Sequence, residues 1–496
     1  MAVELFTPQV TVTLYKVVTR NSGISARASV APRALDLTPY LGDAGAIRIV
    51  KNIRAPAGAF SLSIGDQVEP DVQDSLYTLI EAQDVVEIRG SRTPQAYSGG
   101  SLPVLMRGWV SKVSRNETMG QNGQPQRVVV ITGQDSGKLL QIYQIMWEIA
   151  FIQDKLFLDL FNFQAITGLE ATFQPVSQFM EQMITKVVNP KVDKLAPIQA
   201  GIFHDFSTAI SVPTTGWVSP TLAGGYNGSI WGQMRQFADM PWNELFIQDL
   251  DAGPQLVFRP TPFYDDVGAG ALIMAGAADP GTVAVDAAAL VSINVARSDE
   301  RVANFFPVPP GNGSFETSAF LSAAQLYNHQ LIDLDYPNND PVIYGVKKME
   351  VGTQLIPGGQ PFPPDVPGAA RSAPLAAWTD WYTQRALDLK AMNRDNGVYE
   401  EGGMVLRGSE YLRPGQYLQL TRGKLVARYY MVGVSHVINP LGLWTTAVEV
   451  ERGTGFIARL RYGGAPMWAE GRPGVYDTSA PSSPALGSAS GGEAVG

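Results

Sequence analysis

The sequence predicts a mixed, β-rich α+β protein, with β-domains at its two ends and a mixed region inserted between them. Three observations carry this reading. Hydrophobic positions alternate through residues 401–453, with turn residues between the runs. Residues 104–139 partly repeat that order. The 50 Gly and 35 Pro are scattered along 496 residues, which suits many short strands and turns. A chain of this length exceeds one ordinary core, so about two to four domains are expected.

The elements follow in chain order. Ile47–Ile64 reads as a strand, a Pro/Gly turn and a second strand alternating Phe60, Leu62 and Ile64. Val85–Arg89 is a further strand. Val104–Val113, carrying Trp109, and Arg127–Thr132 form a long hairpin around a polar Gly/Asn turn region. Residues 139–163 read as one or two helices, because Leu139, Ile142, Tyr143, Met146 and Ala150 keep helical spacing. Leu140, Trp147 and Phe151 are apolar on other faces. This helix is therefore covered either inside the chain or by a partner.

In the middle, Phe179–Val188 reads as a helix ended by Asn189-Pro190, and 214–228 as a loop. Ser229–Leu250 reads as helical in two pieces, with Asp239 as N-cap and Pro241 in the first turn of the second. Gln255–Arg259 and Val291–Val295 read as strands. Phe315–Asn328 and Leu375–Arg394 read as helices. The latter aligns Trp378, Trp381, Tyr382, Arg385 and Leu389 on one stripe before an Asn396-Gly397 stop. Pro357–Pro367 is a linker.

The last β-domain opens with Met404–Leu406 and Tyr417–Leu420 around Pro414-Gly415. Its final hairpin places Tyr430, Val432 and Val434 on one face of a strand, turns at Pro440-Leu441-Gly442, and returns through Trp444 with Thr446, Val448 and Val450 inward. The tail after Pro473 is rich in Ser, Gly, Ala and Pro. It is expected to be flexible alone, or to order against a partner.

Composition narrows the function. The chain has no Cys, which removes disulfides, thiolate metal sites and cysteine catalysis. Residues 1–18 have no basic start and no long apolar core, so they are not expected to be a secretory signal. The longest apolar stretch, 139–163, is broken by Glu148, Asp154, Lys155 and Asp159, so no membrane insertion is expected. A net charge of −9 argues against gripping DNA phosphates, so no specific nucleic-acid binding is expected.

No motif points to catalysis or a cofactor. Gly133–Lys138 is one residue short of a phosphate loop, and Leu139 stands where the magnesium-holding Ser/Thr belongs. His204, His329 and His436 are far apart, with no metal-binding spacing. Asp333–Asp340 begins like a calcium loop, but Pro337 stands at a ligand position and the closing Glu is missing, so it reads as a polar turn. There is no GxSxG elbow. Carboxylates are plentiful, but nothing in the sequence predicts a sugar cleft between two of them.

The strand order of 104–139 and 401–453, with the terminal runs VVVITGQD and AVEVERG, resembles the baseplate hub proteins of bacteriophage tails. Their relatives include the hub part of type VI secretion spikes. The resemblance covers roughly residues 1–145 and 395–460. It implies two tail-tube-like β-barrel domains, at 1–138 and at 397–465, the second completed by earlier strands. Residues 139–396 would be a mixed insertion and 466–496 a tail. It implies a non-enzymatic homotrimer that adapts a sixfold tail tube to a threefold central spike and lines the DNA exit channel with an acidic wall.

The partners implied are the spike, the tail tube or distal tail protein, the tape-measure protein and baseplate wedge proteins. The location implied is the virion tail baseplate, after assembly in the host cytoplasm. Phe60, Trp109, Val432, Val434, Trp444 and Val448 are the expected β-domain core or ring-facing residues, and Trp147 and Phe151 the further interface candidates. The alternative is a cell-wall-binding or peptidoglycan-degrading protein of the tail tip.

Overall fold

The computed structural model describes residues 8–20, 27–42, 45–69, 74–97, 100–119, 123, 125–145, 174–195, 201, 203–218, 228–309, 332–334, 336–357, 369–440 and 442–461. Its first strands are β1 (Gln9–Arg20), β2 (Arg27–Asp36), β3 (Ala46–Asn52), β4 (Ala59–Gly65), β5 (Val85–Ser91), β6 (Val104–Met119) and β7 (Pro125–Asp135), followed by helix α1 (Gly137–Ile142). They pair in the order β2-β1-β5-β6-β7-β4-β3. Alternation decides which side chains go inward. Phe60, Leu62 and Ile64 on β4 are buried, and so are Ile47 and Ile49 on β3. Residues from all seven strands, including Leu35 on β2 and Ile47 on β3, belong to one hydrophobic core with Val12, Ile88, Met106 and Ile131.

A second set begins in the middle of the chain with β11 (Thr282–Asp286) and β12 (Leu290–Ala296). It resumes with β13 (Glu400–Arg407), β14 (Tyr417–Arg422), β15 (Leu425–Ile438) and β16 (Trp444–Gly453), followed by α5 (Gly455–Arg461). These six pair in the order β12-β13-β16-β15-β14-β11. They enclose their own core, with Met404, Leu418, Tyr429, Met431, Val448 and Val450 at its centre and Val285 and Ile293 packed against it.

The outer strands of this set, β11 and β12, are consecutive in sequence. Asp286 and Leu290 lie four Cα steps apart, at most ~15 Å of chain. Six flat strands would hold their edges ~24 Å apart. The set is therefore strongly curled. The two sets join where β15 pairs with β3, giving one 13-stranded sheet. Among the described residues its ladder stays open, ending at β12, β11 and β2. The β-rich α+β class is as read from sequence; among the described residues these strands form one continuous sheet, and its ladder closes into no barrel.

The middle of the chain departs most from the sequence reading. The helix expected over 139–163 stops at Ile142, and Tyr143 is extended before a short bridge of Gln144–Ile145 to Gly228–Ser229. The remainder of that stretch, with Trp147 and Phe151, lies outside the described residues, as does the expected helix Phe315–Asn328.

Helix α2 (Val176–Gln182) does not end at Asn189-Pro190. It runs on through a π-turn, Met183–Val188, into Asn189–Val192. Pro190 follows directly after the π-turn, at the second position of Asn189–Val192. The Asn189 side chain instead brackets the backbone of Phe206 (Nδ2 to O 3.0 Å, N to Oδ1 3.1 Å).

The second half of the expected helix at 229–250 is a strand. Helix α3 (Ile230–Phe237) is capped by Ser229, whose Oγ accepts from Gly232 N at 3.1 Å. It ends because Asp239 takes a left-handed φ of 55°. Asp239 is no N-cap. It is buried against Arg385 (2.9 Å) and Thr353 Oγ1 (2.6 Å). After β8 (Ser207–Ile210), residues Asn243–Leu250 form β9, which pairs antiparallel with β10 (Gly253–Pro260). Eight ladder positions along β10 outweigh the helical preference of NELFIQDL. The long helix α4 (Ala369–Asn393) buries Trp378, Tyr382 and Leu389 against Trp242, Phe306 and Ile356.

Candidate functional site

The place where the two halves meet is built by the longest strand of the second half. β15 has 14 residues and one partner, β16, along one edge. Its other edge is divided. Residues 425–430 pair with β14, and residues 433–438 pair with β3. Between them the register against β16 shifts at Met431/Gly433. Such a bulge adds one residue to a strand and reverses which face the following side chains take.

That reversal corrects the expectation that Tyr430, Val432 and Val434 share a face. Tyr430 and Val432 pack outward with Phe246 and Val257 of the middle region, whereas Val434 points into the second core opposite Val448. Beyond it, Ile438 and Trp444 reach into the first core. Trp444 lies directly over Gly408, where a Cβ would stand 2.1 Å from the indole Cγ. Phe60 sits in the same core against Gly133, where a Cβ would stand 2.4 Å from its ring. Trp109 faces outward from the first half and meets Phe203 of the middle region at 5.1 Å between ring centroids.

Polar groups lock this seam from outside. Tyr430 donates to Glu244 Oε1 at 2.5 Å, and Arg259 Nε donates to Glu244 Oε2 at 3.0 Å. Arg259 also donates to the carbonyl of Gly415 at 2.6 Å, which ties β10 to the loop before β14. Burial pushes the Glu244 carboxyl above its ordinary range, against the pull of Arg259, and pushes the Tyr430 phenol well above its own. Next to the β3 junction, Lys51 pairs with Asp249 at 2.6 Å, Asn52 donates to Glu449 at 3.0 Å, and Arg54 pairs with Glu451. Glu244, Arg259 and Asp249 were not singled out from sequence. Glu244 and Arg259 are 15 residues apart, but their other seam partners, and that of Asp249, lie 156–198 residues away, and no local pattern marks them.

His436 sits inside the junction, buried, with Nδ1 2.9 Å from Thr446 Oγ1. Burial, and then the Lys51 charge, push its pKa down to about 3. The unfolded imidazole takes a proton near pH 6.5 while the folded one stays neutral, so this group destabilises the fold as pH falls from 6.5 towards 3. His436→Gln is expected to gain about 2–3 kcal/mol relative to the parent between pH 7 and pH 4.5. Urea melts of both proteins at the two pH values measure that difference. Equal pH responses would show that His436 is not held neutral.

The other sequence candidates are occupied by the chain's own contacts. In the phosphate-loop-like segment, Asp135 accepts from Gly58 N (2.8 Å) and Gly137 N (2.9 Å), and Lys138 donates to Ser111 Oγ (3.0 Å). In the calcium-loop-like segment, Asp333 pairs with Lys390 at 2.5 Å and accepts from Asn339 at 3.2 Å. His329 lies outside the described residues. Among the described residues no group of three or more His, Asp or Glu could hold a metal ion. A cavity of about 300 Å³ opens beside the seam, between Arg54, Glu244, Phe263 and Arg452.

No protein-family model and no curated protein matches the chain. Solved structures do. A tail protein from Neisseria meningitidis MC58 is 11% identical, with 91% of this chain and 99% of that one covered at a TM-score of 0.45. The 43 kDa tail protein of prophage MuSo2 from Shewanella oneidensis is 9% identical, with coverage of 89% and 96% and a TM-score of 0.43. An Escherichia coli component of the type VI secretion system, described as structurally similar to the T4 tail proteins gp27 and gp5, is 8% identical, with coverage of 82% and 72% and a TM-score of 0.36. The structural neighbours of this chain are thus phage tail and baseplate proteins and a type VI secretion component.

Proposed function

We propose that the chain is a non-enzymatic structural hub of a phage tail, in which three copies form a ring between a sixfold tube and a threefold spike. One observation carries this reading beyond the sequence resemblance: the two halves repeat one strand order. The first runs β3-β4-β7-β6-β5-β1 and the second β12-β13-β16-β15-β14-β11, each met in the same sequence order and each followed by a short helix. The halves differ at one end, where β5 and β1 pair antiparallel but β14 and β11 pair parallel.

Two similar halves per chain give a threefold object six similar positions, which is what a sixfold neighbour requires. In this reading residues 1–138 and 397–465, the latter with β11 and β12, are the tube-like domains. The rest of residues 139–396 decorates the ring or receives the spike, and 466–496 order against a neighbour. Tail tube or distal tail, tape-measure and wedge proteins are the remaining partners, and the net charge of −9 suits a lumen past which DNA slides without sticking.

Light scattering on the purified chain, alone and with the spike protein of the same phage, tests the proposal. A threefold mass in either condition is expected. A monomer in both at high concentration would overturn it and leave the cell-wall-binding or peptidoglycan-degrading reading, which turbidity loss or glycan retention would reveal.

A further inference from the structure

We propose that the cavity between helix α4 and the short strand Gly216–Val218 binds a neutral sugar that carries an acetamido group. The site lies within one chain and needs no ring, so it holds apart from the hub reading above.

The cavity measures about 530 Å³, within the ~300–1,000 Å³ of small-ligand sites. Helix α4 turns two faces to different surroundings. One buries Trp378, Tyr382, Ala386 and Leu389 in the core of the middle region. The other lines the cavity with Ala377, Asp380, Trp381, Gln384, Arg385 and Asp388. These positions follow the helical spacing that ordinarily carries an apolar stripe against a core. Here the stripe holds two carboxylates, an amide, a guanidinium and an indole. The opposite wall is apolar, built from Trp217 and from the buried side chains of Val176, Val212, Met274 and Leu355. Gly216 lets the two walls approach, because a Cβ there would stand 2.7 Å from Leu355 Cδ1 and 3.1 Å from Trp381 Cη2.

The polar groups of α4 divide into acceptors and donors. Asp380, Gln384 and Asp388 follow one another at intervals of one helical turn. Gln384 Nε2 donates to Asp388 Oδ1 at 2.8 Å, which leaves the Gln384 carbonyl as an acceptor. Burial raises the Asp388 carboxyl above its ordinary range, against the opposing pull of Gln384 and Arg385. On the donor side, Arg385 is 8% exposed and spends its charge on Asp239 at 2.9 Å. Its Nε has no acceptor, and neither has Trp381 Nε1. The guanidinium lies 4.4 Å from the Trp381 ring centroid, so the two donors are held side by side. A buried N–H without an acceptor is costly, and a ligand oxygen that reaches it regains that cost.

This combination selects the class of ligand. An anion would meet two carboxylates, while the Arg385 charge is already matched by Asp239. A cation would meet the guanidinium that covers the Trp381 ring. A neutral molecule with both donors and acceptors satisfies both rows. Sugar hydroxyls donate to Asp380 and Asp388, and the C–H face of the ring rests on the half-buried Trp217 indole. An acetamido carbonyl accepts from Trp381 and Arg385, and its methyl group rests on the apolar wall at Leu355.

A ligand-observed NMR titration of the purified chain tests the site, with the trimer of N-acetylglucosamine as the probe and cellotriose and succinate as comparisons. The acetamido sugar is expected to bind at millimolar concentration or below, cellotriose about tenfold more weakly, and succinate not at all. Trp381→Phe keeps the ring and removes the N–H, and should weaken binding about tenfold. Ala377→Tyr, at an exposed position on the cavity rim, should block binding and melt like the parent. No binding by the folded parent at millimolar concentration would overturn the site. Equal affinity for cellotriose, or parent-like binding by both variants, would also overturn it. The mass from light scattering keeps the two proposals separate: a trimer that binds no sugar removes the site and leaves the hub, and a monomer that binds sugar removes the hub and leaves the site.

Discussion

Val448→Asp is expected to abolish soluble, folded protein. Val448 is 2% exposed and lies on β16 between Met404 on β13 and Val434 on β15, so all three strands close over it. Leu418, Met431 and Val450 complete the same apolar core. A carboxylate placed there is either ionised without a partner, which costs many kcal/mol, or takes up a proton and still loses its hydration. Either penalty reaches a large part of the ~5–15 kcal/mol that holds an ordinary domain folded. Val448→Thr is the matched control, because it keeps the shape and adds only a hydroxyl, at about 1–3 kcal/mol. Soluble yield and circular dichroism of the two variants measure the effect. Parent-like folding and assembly of Val448→Asp would remove the assignment of this strand to a closed core.

The β-halves were legible because their signal is local. One buried face of a strand writes period-two alternation into the sequence, and Phe60, Leu62, Ile64, Thr446, Val448 and Val450 all follow it. The bulge at Val432 was not legible, since YYMVGVSHVI alternates smoothly and only the pairing with β16 reveals the extra residue. The strand Asn243–Leu250 was misread as helix for a related reason. Its conformation is set by β10 and by the backbone at Asp239, neither of which its own composition announces. The polar seam is the extreme case. Tyr430 meets Glu244 across 186 residues, and Lys51 meets Asp249 across 198. A single sequence gives no rule that pairs charges at such separations.

That seam carries the second large effect. Arg259→Ala is expected to destabilise the chain by about 3–5 kcal/mol, because it leaves the Glu244 carboxylate buried beside Tyr430 without its cation. The loss is more than one ion pair, since Arg259 also holds the Gly415 carbonyl and so the approach to β14. The pH dependence separates a stranded charge from lost packing. Burial already raises the Glu244 pKa, and removing Arg259 removes the charge that opposes the rise. Glu244 then binds a proton more readily in the folded than in the unfolded state, so stability falls as pH rises. The Arg259→Ala deficit is expected to be smaller at pH 5 than at pH 8, and adding Glu244→Gln should recover part of it at pH 8. Urea melts of the single and double variants at both values give the coupling. A deficit independent of pH, with Glu244→Gln simply additive, would show that Arg259 acts through packing and its bond to Gly415 rather than by neutralising the buried carboxylate.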